Sequence, residues 1–121
     1  MKEEERVEVL ENTTHILLRL GFHANQCGYR YVRNAIYQVK ECPELITSVT
    51  KLLYPAIAKE YQVSAGKVER AIRTSIETAW SNPQKDMIQM IFDTPEEYLE
   101  RRPTNTDFIE AMGKYLNKEN T

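Results

Sequence analysis

Long apolar runs are missing from this chain. None approaches the ~20 residues that a bilayer crossing needs, and the start, Met1-Lys2-Glu3-Glu4-Glu5-Arg6, lacks the apolar stretch of a secretory signal. Export and membrane insertion are not expected, and the cytoplasm is the expected compartment. Cysteine is scarce: Cys27 and Cys42 match no zinc spacing. A helix between them would hold them ~22 Å apart at ~1.5 Å per residue, too far for a disulfide, so they read as buried or idle thiols. Glycine is scarce as well, with 4 residues, and no Asn-Gly, Asp-Gly or Gly-Gly pair separates alternating apolar runs. That removes the usual hairpin signal. Catalytic patterns are also absent. His15 and His23 lie outside any metal motif, and the chain has no Gly-rich phosphate loop and no Ser-His-Asp arrangement. No enzyme activity, metal or cofactor is expected, and the paired carboxylates Glu96 and Glu97 read as a solvated face.

What is present is the profile of one globular domain with one core: 121 residues, 41% hydrophobic and 28% charged. The formal net charge of -2 conceals blocks. Residues 1–11 carry a net -3, residues 12–85 a net +5 and residues 86–121 a net -4. A basic middle between acidic ends suits an anionic partner met by one face, and it equally suits ordinary solvation.

Helical periodicity dominates, so the expected fold is all-α, a six- to seven-helix domain. The first helix is placed at about 4–20, with Val7, Leu10, Thr14, Leu17 and Leu18 as its inner face and Gly21 as its stop. The second, about 26–41, has the stripe Tyr29, Val32, Ala35, Ile36 and Val39 and ends before Pro43. A third is expected at about 44–53, burying Leu45, Ile46, Val49, Leu52 and Leu53, and a short fourth at about 55–61 with Pro55 in its first turn. The longest clean stripe follows Ser64: Val68, Ile72, Ile76, Ala79 and Trp80, closed by Asn82-Pro83. A short helix carries Met87 to Phe92, and a last one starts at Thr104, which with Asp107 resembles a capping box, and turns Phe108, Ile109, Met112 and Leu116 inward. Residues 1–11 are expected to be an acidic extension of the first helix or the remnant of a linker, and 12–121 the domain itself.

The segment from Tyr54 to Arg73 has the marks of a helix-turn-helix. Ala58 is the small residue that permits a close crossing, Ile57, Tyr61, Val63, Val68 and Ala71 have the spacing of the locking set, and Ser64 suits an N-cap. Gln62 takes the turn position where glycine is commonest. The side chains opposite the buried stripe of the helix at about 65–80 would then enter a major groove: Gly66, Lys67, Glu69, Arg70, Arg73, Thr74 and Glu77. An arginine fork matches guanine O6 and N7, and a carboxylate accepts from the cytosine amino group, so Glu69, Arg70 and Arg73 suit the reading of G and C edges. Lys59 and Lys67 suit phosphates, which position without specifying. The bland alternative is a solvated face on which Glu69 and Arg73 form a surface pair worth a few tenths of a kcal/mol. Tyr29, Tyr31 and Tyr37 read as core or rim residues rather than a base-stacking surface.

Leu52-Leu53-Tyr54-Pro55 with Ile57-Ala58-Lys59, then Val68-Glu69-Arg70-Ala71-Ile72-Arg73, Ile76-Glu77 and Ala79-Trp80-Ser81, resembles the C-terminal DNA-binding effector domain of the master sporulation response regulator of endospore-forming Firmicutes. Gly28-Tyr29, Tyr31-Val32-Arg33, Ala35-Ile36, Ile46 to Lys51, Pro103-Thr104-Asn105 and Phe108-Ile109 extend the likeness over most of residues 13–117. The resemblance implies a six-helix effector domain that reads a promoter box on double-stranded DNA as a head-to-tail homodimer and touches the RNA polymerase sigma subunit. It implies Glu69, Arg70 and Arg73 as base readers supported by Lys67, a basic residue at a family arginine position; Lys59, Ser64, Gly66 and Thr74 are the further positions expected to meet the DNA backbone or support the readers. Gly66 stands where the family commonly has a hydroxyl residue and Thr74 where it has histidine, which alters the phosphate contacts expected there. Ile88 to Arg102 diverges from the segment implicated in the sigma contact. The chain is too short to hold the family's receiver domain as well, so no phosphorylation switch is expected within it. The competing expectation is a receiver-less interaction module that modulates a full-length regulator or sigma factor without stable promoter binding.

Overall fold

The computed structural model describes residues 2–95 and 99–119, the last two of these in backbone only. Glu96 and Glu97 lie outside the described residues. Among the described residues there are six α-helices and no strand: α1 (Glu3–Leu20), α2 (Cys27–Glu41), α3 (Tyr54–Tyr61), α4 (Ala65–Trp80), α5 (Lys85–Phe92) and α6 (Asn105–Glu119). The all-α class is as expected. None of these helices is long and apolar enough to cross a membrane.

The helix expected at 44–53 does not form. In its place are a 3-10 turn, Pro43–Thr47, and one π-type turn, Val49–Leu53, which feeds directly into α3. Ser48 breaks the run with φ -139 and ψ 47. Ile46, Thr47, Val49 and Thr50 are all β-branched, and such side chains lose rotamer freedom in a helix, so this stretch has little intrinsic helicity to resist the break. Val49 and Leu53 are buried as expected, Leu45 and Ile46 are half-buried, and Leu52 is 56% exposed.

Helix α2 is the central strut, packed on α1, α3, α4 and α6. Its stripe of Tyr29, Val32, Ala35, Ile36 and Val39 is buried throughout. Tyr31 is buried too and meets Tyr61 edge-on at 5.1 Å, while Tyr37 is half-buried, so none of the three tyrosines forms an open stacking platform. On the far side, Phe22, Trp80, Phe92 and Phe108 form an aromatic cluster, with centroids 5.3 Å apart for Phe22 and Phe108 and 5.9 Å for Trp80 and Phe108. These offset and edge-to-face arrangements suit the ring quadrupoles and lock α6 against the C-terminal end of α4.

Gly21 ends α1 in the left-handed region, φ 105, with its N–H capping the Leu17 and Leu18 carbonyls. The inner face of α1 is the expected one only at Leu17. Val9, Thr13, Ile16, Leu17 and Leu20 are buried, whereas Val7, Leu10 and Leu18 are exposed. Thr13 hides the true face: its hydroxyl donates to the Val9 carbonyl at 2.6 Å, so a nominally polar residue enters the core with its hydrogen bond made. At α6, the Asp107 N–H donates to Thr104 Oγ1 at 3.1 Å, completing the expected N-terminal cap. Both cysteines are free: Cys27 is half-buried, and Cys42 is exposed with its thiol donating to the Glu44 carboxylate at 3.1 Å.

Candidate nucleic-acid interface

Helices α3 and α4 form the helix-turn-helix. Pro55 sits in the first turn of α3, where no intrahelical N–H is lost. The turn is made by Gln62 in the left-handed region, φ 56 and ψ 48, and the Val63 N–H returns to the Ala58 carbonyl at 3.0 Å. This Schellman-type closure normally recruits glycine; here a Cβ is tolerated at a cost of about 1 kcal/mol. Ser64 then caps α4, its Oγ accepting from the Lys67 N–H at 3.0 Å.

One face of α4 is locked inward by Val68, Ile72, Ser75, Ile76, Ala79 and Trp80. Burying each of the three large aliphatic side chains contributes about 1.5–3 kcal/mol. The opposite face presents Gly66, Lys67, Arg70, Arg73, Thr74 and Glu77 to solvent, with Glu69 half-buried at its edge. Lys59 is exposed on the last turn of α3. Gly66, Lys67, Arg70, Arg73 and Thr74 thus share the free face of α4, and both arginines are exposed among the described residues.

Their side chains are organised as well as exposed. Arg73 Nη1 donates to Glu69 Oε1 at 2.9 Å, with 49% and 35% of the two side chains exposed. In water such a pair contributes well under 1 kcal/mol to stability. A Cβ built on Gly66 would come within 3.2 Å of Arg70 Nη1, so the Arg70 guanidinium lies back along the helix over the glycine. Glu77 is drawn away from this group by Arg102, whose Nη1 is 2.8 Å from Glu77 Oε1. Lys67, Arg70 and Thr74 border a shallow cavity of about 460 Å³ whose other wall is Gln26, Cys27 and Gly28, at the start of α2.

Three supporting positions fall outside the set expected to meet DNA. Gly28 lets α2 cross α4 closely: a Cβ there would collide with the Ala71 carbonyl oxygen and the Ser75 hydroxyl. Beside it, Ser75 Oγ donates to Gln26 Oε1 at 3.1 Å. Asn105, at the start of α6, donates through Nδ2 to the Glu69 carbonyl and to the Tyr54 hydroxyl, each at 3.0 Å. Burial pushes the Tyr54 phenol up, with the Asn105 hydrogen bond acting the other way, so at neutral pH it is a neutral acceptor for that amide. A glycine inside a helical pattern was the available signal for Gly28. Asn105 and Tyr54 are 51 residues apart, and nothing local links them.

A basic, arginine-bearing helix held on a helix-turn-helix by a fully packed reverse face is an arrangement suited to a DNA groove. The family model described as sporulation initiation factor Spo0A C terminal matches residues 13–116, which include the second part of α1, the whole of α2 to α5 and most of α6. The chain belongs to the family of Spo0A C-terminal domains, a family of DNA-binding transcription factors.

Proposed function

We propose that this chain binds double-stranded DNA sequence-specifically and regulates transcription of sporulation or stationary-phase genes, with α4 in the major groove. Arg70 and Arg73 read guanine edges and Glu69 accepts from a cytosine amino group. Lys59 and Lys67 meet phosphates, and Ser64, Gly66 and Thr74 shape the approach of the backbone. The observation that carries this reading is the shared exposure of Lys67, Arg70 and Arg73 on the one face of α4 that the core leaves free. Family membership supports it at the level of DNA binding.

A net +5 over residues 12–85 is small for a monomer holding DNA alone. Binding as a head-to-tail homodimer follows as part of the proposal, with affinity that falls steeply as salt rises. A contact with the RNA polymerase sigma subunit and a cytoplasmic location belong to the same reading. The test is a gel-shift titration on duplexes with and without a G/C-bearing box, at two salt concentrations, using wild type and Arg70→Ala. The expected result is a sequence-selective loss of about 1–3 kcal/mol in the variant. Equal, weak binding of every duplex by both proteins would support the interaction module instead.

A further inference from the structure

Helix α1 is apolar on two faces, and the fold uses one. Val9, Ile16, Leu17 and Leu20 enter the interior, while Val7, Leu10 and Leu18 remain 46%, 36% and 47% exposed. At ~100° per residue these three fall within about 80° of arc, with half-buried Thr14 among them, and the stripe runs about 16 Å along the helix. Isolated exposed apolar residues are ordinary; a stripe in helical register along one element is the form that partner helices recognise. Val7 and Leu10 precede residue 13, where the family match begins.

We propose that this face is a self-association surface on which a second copy of the chain packs its own α1 in antiparallel orientation. The charges select that occupant and that direction. The first half of α1 carries Glu3, Glu4, Glu5, Glu8 and Glu11, all exposed, and its Arg6 is engaged with Glu41 of α2 at 3.7 Å. The second half carries His15 and Arg19 and no acid. Beside it lies Arg33 of α2, which donates to Thr14 Oγ1 at 3.2 Å and sits 5.3 Å from the Tyr29 ring centre. Parallel copies would set the acidic halves against each other. A two-fold axis near Asn12 and Thr13 instead sets each acidic half against the other copy's Arg19 and Arg33, and brings Val7 onto the other copy's Leu18. Because α1 packs chiefly on α2, α5 and α6, this contact leaves α4 exposed in both copies.

The contact is small, so the dimer belongs to the weak class, with a dissociation constant of roughly 10 µM to 1 mM. Sedimentation equilibrium of the full chain across that range is expected to show mass rising from monomer towards dimer. Leu18→Glu and Leu10→Glu, both at exposed positions and checked for unchanged helicity by circular dichroism, should weaken association by about tenfold or more by placing an unpaired carboxylate in an apolar contact. Orientation is read by mixing Val7→Cys and Leu18→Cys chains in a Cys27→Ser, Cys42→Ser background; oxidation should join the two variants to each other faster than either to itself. A wild type that stays monomeric throughout, a Leu18→Glu chain that dimerises as the wild type does, or preferential self-linkage of Val7→Cys would each overturn the proposal. This two-fold contact is a different interface from the head-to-tail pairing proposed on DNA, and none of these readouts uses DNA, so this surface and the DNA-binding reading stand or fall separately.

Discussion

The side-chain amide of Asn105 reaches from the start of α6 to the main-chain carbonyl of Glu69, in the second turn of α4, at 3.0 Å. The same Nδ2 meets the Tyr54 hydroxyl at the start of α3, so one side chain ties both helices of the helix-turn-helix to α6. Removing it should affect where α4 sits as well as how stable the domain is. Asn105→Ala is expected to cost about 1–2 kcal/mol in urea denaturation, and Tyr54→Phe somewhat less, because the amide keeps its second acceptor. The ratio of affinities for boxed and scrambled duplexes should fall in Asn105→Ala more than in a core variant of equal destabilisation such as Ile36→Val.

Glu69 and Arg73 form a pair whose stability contribution and binding contribution should separate. Glu69→Gln is expected to change the unfolding free energy by no more than about 0.5 kcal/mol, since both side chains are substantially in water. On DNA the same change should cost about 1–3 kcal/mol at a box bearing the matching cytosine and little at a box lacking it. A competition binding assay over single-base box variants checks this, and a uniform loss at every position would show Glu69 acting only on the general field.

Gln62 is a non-glycine residue at φ 56 in the turn. Gln62→Gly should relieve the left-handed strain and raise stability by about 0.5–1 kcal/mol net of the extra freedom glycine has when unfolded. Thermal denaturation at fixed buffer and concentration reads it. A lower melting temperature would mean that the Gln62 side chain has a stabilising role that outweighs the strain.

Gly28 faces the Ala71 carbonyl and the Ser75 hydroxyl so closely that one methyl group has no place. Gly28→Ala should therefore destabilise by about 1–3 kcal/mol, although alanine is the better helix former by about 1 kcal/mol at an exposed site. The separation of α2 from α4 should also widen, which an amide chemical-shift map would record along Ala71 to Ser75.

Much of this was legible along the chain because it depends on spacing alone. The stripes of α2 and α4, the Gly21 stop, the Ser64 and Thr104 caps and the turn at Gln62 are each set by residues within a few positions of one another, and each was found where periodicity and capping chemistry place it. The exposed set on α4 followed from the same stripe, being its geometrical complement. Two expectations failed for identifiable reasons. The β-branched run from Ile46 to Thr50 scans as apolar periodicity but lacks the propensity to sustain a helix past Ser48. In α1, two apolar stripes compete, and a hydrophobicity pattern cannot rank them when the buried one includes a threonine bonded back to its own helix.

From the linear order of residues alone came the helical class, the boundaries of most helices and the identity of the basic surface, because local backbone preferences and a 3.6-residue period are properties of neighbours. Tertiary packing settled which face of α1 goes inward, how closely α2 crosses α4 at Gly28, and the joining of Asn105 to Tyr54 and Glu69. Those outcomes rest on contacts between residues tens of positions apart. Such contacts are chosen by shape fit and by the pairing of polar groups that burial removes from water, and no short window of sequence contains both partners.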